Sequence, residues 1–250
     1  MPRNARCVLP GHAYHVTQRG SNKRCVFHSD TDRKTYLQLI KENLKEAEVR
    51  IWAWCLMSNH VHWVVEPGRE DSLAVLFQRA HGRYSQYYNA RRQRSGHLWQ
   101  ARFFSCVLSP KHLTRALRYV ELNPLRAAIA KEPQAYRWSS ARDHLSDGEQ
   151  DRFGILDPTA WRERGGAEGW RELLQVTDSA NEIYLLKRCT YAGRPFGEES
   201  FLAEMEERFG RHWRRWSFEP KTPEEGAGGR PRAKAVGRSG GRSGAIGEIA

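Results

Sequence analysis

His60 and His62 flank a single valine within the run Met57-Ser58-Asn59-His60-Val61-His62-Trp63-Val64-Val65. The run reads as a buried β-strand, in which alternate residues share a face, so both imidazoles project to the same side. Two neutral imidazole nitrogens a side chain apart make half of a divalent-metal site when a third ligand arrives from elsewhere in the fold. The plainer alternative is one histidine hydrogen-bonded in the core and the other at the surface.

Tyr119 and Asn123 form a second pair, four residues apart and so on one helix face. A phenol is a poor nucleophile at its ordinary pKa of about 10, but a metal that polarises a phosphodiester lowers the barrier to its attack. An amide oxygen one turn along could complete that metal's shell. Taken alone, Tyr119 reads as an ordinary core or surface tyrosine; the histidine pair is what makes it a candidate nucleophile.

Residues 78–104 interleave arginines with Tyr84, Tyr87, Tyr88, Trp99, Phe103 and Phe104. Guanidinium groups neutralise phosphates and aromatic faces stack on unpaired bases, the combination used on single-stranded or hairpin nucleic acid. Arg79, Arg83, Tyr84, Arg91, Arg92, Arg94, Trp99 and Arg102 are therefore expected to contact nucleic acid. An amphipathic helix with a solvated basic face is the alternative.

The elements that position these residues follow from periodicity. A strand is expected at residues 13–18, followed by a Gly20-Ser21-Asn22 turn. A helix comes next, with Tyr36, Leu37, Leu39, Ile40 and Leu44 on its apolar face and Ser29 or Asp30 as its cap. Strands at residues 50–56 and 60–66 are joined by a Ser58-Asn59 turn. A second helix covers residues 72–92, a strand covers 103–108, and a third helix opens near Ser109-Pro110 and runs to about 122. Asn123-Pro124 closes or kinks it, because proline disfavours helix in the residue before it. The order resembles the split β-α-β arrangement of ferredoxin-like folds: an α+β chain whose helices cover one face of a largely antiparallel sheet.

We expect a catalytic domain over residues 1–145 and a helical accessory region over 146–220. In the latter, two helices flank the turn Gly193-Arg194-Pro195-Phe196-Gly197, either as a helix-turn-helix-like DNA module or as a simple packing unit. Residues 221–250 carry almost no apolar side chains and read as a disordered basic tail. Within the tail, Arg230 and Arg232 of the Gly-Arg-Pro-Arg stretch suit a narrow minor groove, a merely solubilising role being the alternative.

Composition bounds the partners. The 250 residues hold 41 Lys and Arg against 29 Asp and Glu, a formal charge of +12. Such an excess gains most from displacing the counterions of a polyanion, so nucleic acid is expected before a membrane surface. No apolar run approaches the length of a spanning helix and the start of the chain lacks a signal-peptide core, which points to the cytoplasm. Five scattered cysteines (Cys7, Cys25, Cys55, Cys106, Cys189) form no Cys-x-x-Cys pair, which argues against a disulfide framework and a thiolate metal site.

Three ordered stretches carry a resemblance: residues 57–62, then Ser95-Gly96-His97-Leu98-Trp99-Gln100-Ala101-Arg102-Phe103, then Arg118-Tyr119-Val120-Glu121-Leu122-Asn123-Pro124-Leu125-Arg126-Ala127. Over residues 10–140 the chain resembles the REP-associated tyrosine transposases, within the single-tyrosine HUH transposases. The resemblance implies that His60 and His62 bind Mg²⁺ or Mn²⁺ with Asn123 as third ligand, although related insertion-sequence enzymes commonly use glutamine there. It implies that Tyr119 attacks the scissile phosphate to form a 5′-phosphotyrosine link, which a 3′-OH later resolves. The implied substrate is single-stranded or hairpin DNA, with the basic aromatic helix as its platform and the nucleoid as its location. Tyr84, Tyr87 and Tyr88 are rival nucleophiles, and monomer and homodimer both remain open.

Two other classes compete. Histidine-triad nucleotide hydrolases share a His-apolar-His strand but need a further histidine where this chain has Val64. A catalytically silent DNA-binding protein would keep the sheet and basic helix without needing His60, His62 and Tyr119 together.

Overall fold

The computed structural model describes residues 8–146 and 151–213, which fall in one compact unit. Strand β1 spans Tyr14–Arg19, helix α1 Asp30–Ala47, β2 Val49–Leu56, β3 His60–Pro67, α2 Ser72–Arg91, β4 Phe104–Val107 and α3 Pro110–Glu121. The strands form one antiparallel sheet in the order β2-β3-β1-β4, the topology expected of a ferredoxin-like α+β fold.

Local chemistry explains where the elements begin. The Ser29 side chain accepts from the Asp32 amide while the Asp32 carboxylate accepts from the Ser29 amide, a reciprocal cap that opens α1. The chain leaves α1 through Glu48 in a left-handed conformation, φ 50°, directly into β2. Ser109 caps α3, and Pro110 occupies its first turn, where no N–H is needed.

Alternation along β3 divides the protein into two layers. Val61, Trp63 and Val65 are completely buried on the face covered by α1 and α2. Trp63 lies 6.1 Å from both Tyr36 and Phe77, ring centre to ring centre, and 6.3 Å from Trp54. His60, His62 and Val64 project to the opposite face. That face is covered too, which corrects the expectation of helices on one side alone. Helix α3 lies across β2 and β3, and a later helix lies across β4 and β1.

The rest of the covering layer comprises α4 (Asn123–Arg126), α5 (Ala141–His144), α6 (Thr159–Arg162), α7 (Gly166–Gln175), α8 (Ala180–Ala192) and α9 (Glu199–Phe209). Glu121, fully buried at the end of α3, gathers these pieces. Its carboxylate accepts from the Ser140 hydroxyl, from His144 Nδ1 at 2.6 Å and from the Trp170 indole at 2.7 Å. A buried charge needs such saturation to be tolerated. Helix α8, which covers β4 and β1, is held by a buried Arg118–Asp178 ion pair just ahead of it, by Arg115–Glu182 at 2.6 Å, and by a Ser179–Glu182 capping box.

The two helices expected around residues 193–197 are present, but their setting differs from that of a DNA-reading pair. The Phe196 amide donates to the Val107 carbonyl at 2.8 Å and the Ser109 amide donates to the Phe196 carbonyl at 3.0 Å, so the turn is stitched to the end of β4. Helix α9 carries Glu199, Glu204, Glu206 and Glu207 against Arg208, a charge that repels phosphate. Among the described residues, no helix is long and apolar enough to cross a membrane. Cys25, Cys55, Cys106 and Cys189 are free thiols; Cys7 and the basic tail lie outside the described residues.

Candidate active site

The β3 face that points away from Trp63 carries the two histidines, whose rings stand perpendicular with centres 4.9 Å apart. Tyr119, delivered by α3, sets its ring perpendicular to His62 at 5.3 Å. A third imidazole completes the group. Strand β1 pairs with β3 so that Thr17 lies opposite His62 and Arg19 opposite His60, which puts His15, two residues before Thr17, on the same face. His15 stacks on His62 at 5.2 Å with the planes 8° apart, and meets the edge of Tyr119 at 5.5 Å.

One direction of donation satisfies every polar atom behind the pair. His62 Nδ1–H donates to His15 Nε2 at 3.0 Å, His15 Nδ1–H donates to the Thr190 hydroxyl at 2.8 Å, and Thr190 donates to the Leu186 carbonyl at 2.7 Å. The Cys106 thiol adds a 3.2 Å contact to the Thr190 hydroxyl. On the other side, His60 Nδ1–H donates to Asn59 Oδ1 at 2.6 Å. Both Nδ1 atoms are thereby spent, and the lone pairs left for a ligand are those of His60 Nε2 and His62 Nε2.

Electrostatics keep these rings neutral. Burial lowers His15 to about 3; burial, reinforced by Arg19 and Lys187, lowers His60 to about 4. His62 is held well below its usual value by burial first, then by its histidine and arginine neighbours. Neutral imidazole is the form that binds metal. Tyr119, 4% exposed, is pushed up to about 12 by burial, against the opposing pull of Arg126 and of the Asn123 amide. That amide belongs to α4, just past the end of α3. It stands near enough to the phenol oxygen to favour the phenolate, yet its Nδ2 makes no full hydrogen bond and is buried.

These donors fit a divalent cation in part. Two open imidazole nitrogens with fixed outer partners and a buried, under-bonded amide beside them are a suitable donor set. Among the described residues no group of three His, Cys, Asp or Glu side chains forms a shell alone, because His15 has spent both its nitrogens. The Asn123 amide beside Tyr119 is a further potential donor at the site.

The profile of the IS200-like transposases matches residues 9–123, a span that contains His15, His60, His62, Tyr119 and Asn123. Residues 9–123 are thus similar to an IS200-like transposase domain. No curated protein matches the chain. Among solved structures, one described as a REP-associated tyrosine transposase bound to a REP hairpin is 16% identical with a TM-score of 0.47, over 63% of this chain and 98% of that one. Another, named as a candidate transposase from Deinococcus radiodurans R1, is 14% identical with a TM-score of 0.35, over 48% and 96%.

The fold places the nucleic-acid residues expected on α2 apart from this cleft. Helix α2 lies across the sheet from Tyr119. There Arg79 pairs with Glu46, Arg83 with Glu42 at 2.7 Å, and Arg92 with the buried Asp32 at 2.8 Å. Tyr84 has no exposed surface and donates to the Val26 carbonyl at 2.6 Å, so it serves the core and offers no face to a base. The other rival nucleophiles are tied into the same layer, Tyr87 to Asp32 and Tyr88 to the Cys25 carbonyl. Trp99 is 8% exposed and donates to the His81 carbonyl, leaving little to stack on. Arg91, Arg94 and Arg102 are exposed, and Arg102 borders an open groove of about 750 Å³ between α2 and residues 96–103. Arg230 and Arg232 lie outside the described residues.

Sequence reasoning missed His15, Thr190 and the cations nearest the phenol. A polar residue alternating with Thr17 inside the apolar strand signals His15. Nothing local signals Thr190, which lies 175 residues further along the chain.

Proposed function

We propose that the chain is a metal-dependent single-tyrosine transposase of the REP-associated type, cutting and rejoining single-stranded or hairpin-forming repeat DNA through a 5′-phosphotyrosine link. The observation that carries this is the convergence of Tyr119 with two imidazoles whose Nε2 atoms are both left open. His60 and His62, with the Asn123 amide, would hold Mg²⁺ or Mn²⁺, which polarises a phosphodiester when bound.

The protein's own part is positional. Tyr119 gives up its proton and bonds to phosphorus; the P–O3′ bond breaks and the departing oxygen gains a proton as a 3′-OH. Attack by a 3′-OH on the same phosphorus releases the tyrosine and restores a phosphodiester. Removing the phenolic proton is demanding with the group at about 12, and Arg126 and Asn123 both favour its loss. A substrate strand reaches the phenol only when Arg126 and Lys187, whose cationic ends stand 4.6 and 5.7 Å from the ring centre, turn aside.

Arg91, Arg94, Arg102 and the tail arginines Arg230 and Arg232 are the expected contributors to phosphate-backbone contact, and the nucleoid is the expected place of action. For the described part of the accessory region, residues 151–213, we favour the role of a layer that positions α8 over the cleft. The test is incubation with a labelled single-stranded hairpin pool and Mn²⁺. Wild type should give a denaturation-resistant protein–DNA adduct and Tyr119→Phe none; an adduct that survives in Tyr119→Phe rejects the proposal.

A further inference from the structure

We propose that Arg19, Arg126 and Lys187 form a phosphate-binding cage above Tyr119, which grips the nonbridging oxygens of the scissile phosphodiester. The inference deepens the transesterification reading and rests on it for the identity of the phosphate.

The three cations come from three elements, β1, α4 and α8; Arg126 and Lys187 meet at the Tyr119 ring, and the charge of Arg19 acts on the same phenol. The Arg126 guanidinium carbon stands 4.6 Å from the Tyr119 ring centre and Lys187 Nζ stands 5.7 Å from it. Arg19 leaves β1 on the histidine face, opposite His60. Among the described residues none of the three makes an ion pair with a carboxylate. Asp178, the carboxylate whose charge acts on Arg126, is already committed to Arg118, and the Arg126 guanidinium donates only to the neutral Tyr119 carbonyl. Arg19 Nε is buried without a hydrogen-bond partner.

Like charges gathered without a counter-charge repel, and each lowers the readiness of the next to carry a proton; Lys187 is depressed by burial and then by Arg126 and Arg19. An anion in their midst would relieve that repulsion. The contrast with α2 is sharp, where Arg79, Arg83 and Arg92 each hold a carboxylate. Lysine and arginine stems are long enough to rest on an aromatic face and swing to an oxyanion when one arrives. Charge also grows on the phosphoryl oxygens as the phenol attacks, so donors placed there act on the transition state as well as on binding.

The test uses the full chain without metal and inorganic phosphate as probe, read by the ring resonance of Tyr119, which Tyr119→Phe assigns. Phosphate should shift that resonance saturably while chloride at equal ionic strength does not. In Arg126→Gln and Lys187→Gln the midpoint should rise by about tenfold or more, the loss of a charge-assisted hydrogen bond. Lys187→Arg should recover most of the affinity. With a hairpin oligonucleotide and Mn²⁺, adduct formation in the two glutamine variants should slow by about 10²-fold while hairpin affinity changes little. Equal phosphate midpoints in wild type and both variants, or an equal chloride response, overturn the cage even if wild type forms the adduct. Wild type that forms no adduct but binds phosphate through Arg126 and Lys187 rejects the transposase reading and leaves the anion site standing.

Discussion

His15→Leu removes the acceptor that orients His62 while leaving both proposed metal-binding histidines in place. His15 is 1% exposed, so neither water nor a neighbour replaces it behind His62 Nδ1. A buried donor left without a partner costs about 1–3 kcal/mol. Thr190 loses one contact but keeps the Leu186 carbonyl and the Cys106 thiol, so its share of the loss is small. We expect metal-free His15→Leu to lose about 1–3 kcal/mol in urea unfolding. The ring is then free to take the other tautomer, placing a proton on Nε2 where a lone pair is needed. Loss of such an outer partner costs about 10–100-fold in metal affinity, or about 1.4–2.7 kcal/mol. Calorimetric titration with Mn²⁺, below the temperature at which the variant begins to unfold, measures this. Imidazole ¹⁵N shifts of the metal-free protein report the tautomer directly. His15→Gln, whose amide oxygen sits where Nε2 was, should restore the His62 tautomer and most of the affinity. A His15→Leu protein that binds Mn²⁺ as wild type does, with the proton still on His62 Nδ1, would refute the relay.

Other expectations follow from the same geometry. Tyr119→Phe should retain hairpin binding while losing the covalent adduct, measured by gel shift and denaturing gel on one preparation. Glu121→Ala removes the carboxylate that holds Ser140, His144 and Trp170 and should destabilise the protein by about 3–5 kcal/mol, seen as a lower urea midpoint. Stability of the metal-free protein should fall as pH drops below about 6.5, because unfolded histidines take up protons there while His60, at about 4, and His15, at about 3, stay neutral in the fold. The slope should approach about 1.4 kcal/mol per pH unit for each such ring, and a flat profile between pH 6.5 and 4.5 would contradict the burial argument. Deleting residues 221–250 should weaken hairpin binding and flatten its salt dependence, read from affinities at several salt concentrations.

Much of the architecture is legible along the chain because it depends on near neighbours. Strand alternation alone puts His60 and His62 on one face and Val61, Trp63 and Val65 on the other. Ser29 and Ser109 mark helix starts through bonds that reach only three residues. The basic segment at 78–104 shows why the same logic stops short. Arginine and tyrosine content there is equally compatible with a DNA platform or with a helix that spends its charges inside the fold. The partners that three of its arginines take in the fold, Glu42, Glu46 and Asp32, come from a helix more than thirty residues earlier and leave no trace in the segment itself.

The amino-acid order by itself determined the faces, the caps and the pair of motifs with nucleophile and ligand chemistry. Only the tertiary structure decided which distant groups complete them: His15 beside His62, Thr190 behind His15, and Lys187 over Tyr119. Periodicity records which way a side chain points, whereas the identity of what it meets is set by sheet pairing and by the docking of α8, contacts that join segments far apart in the chain and leave no local pattern.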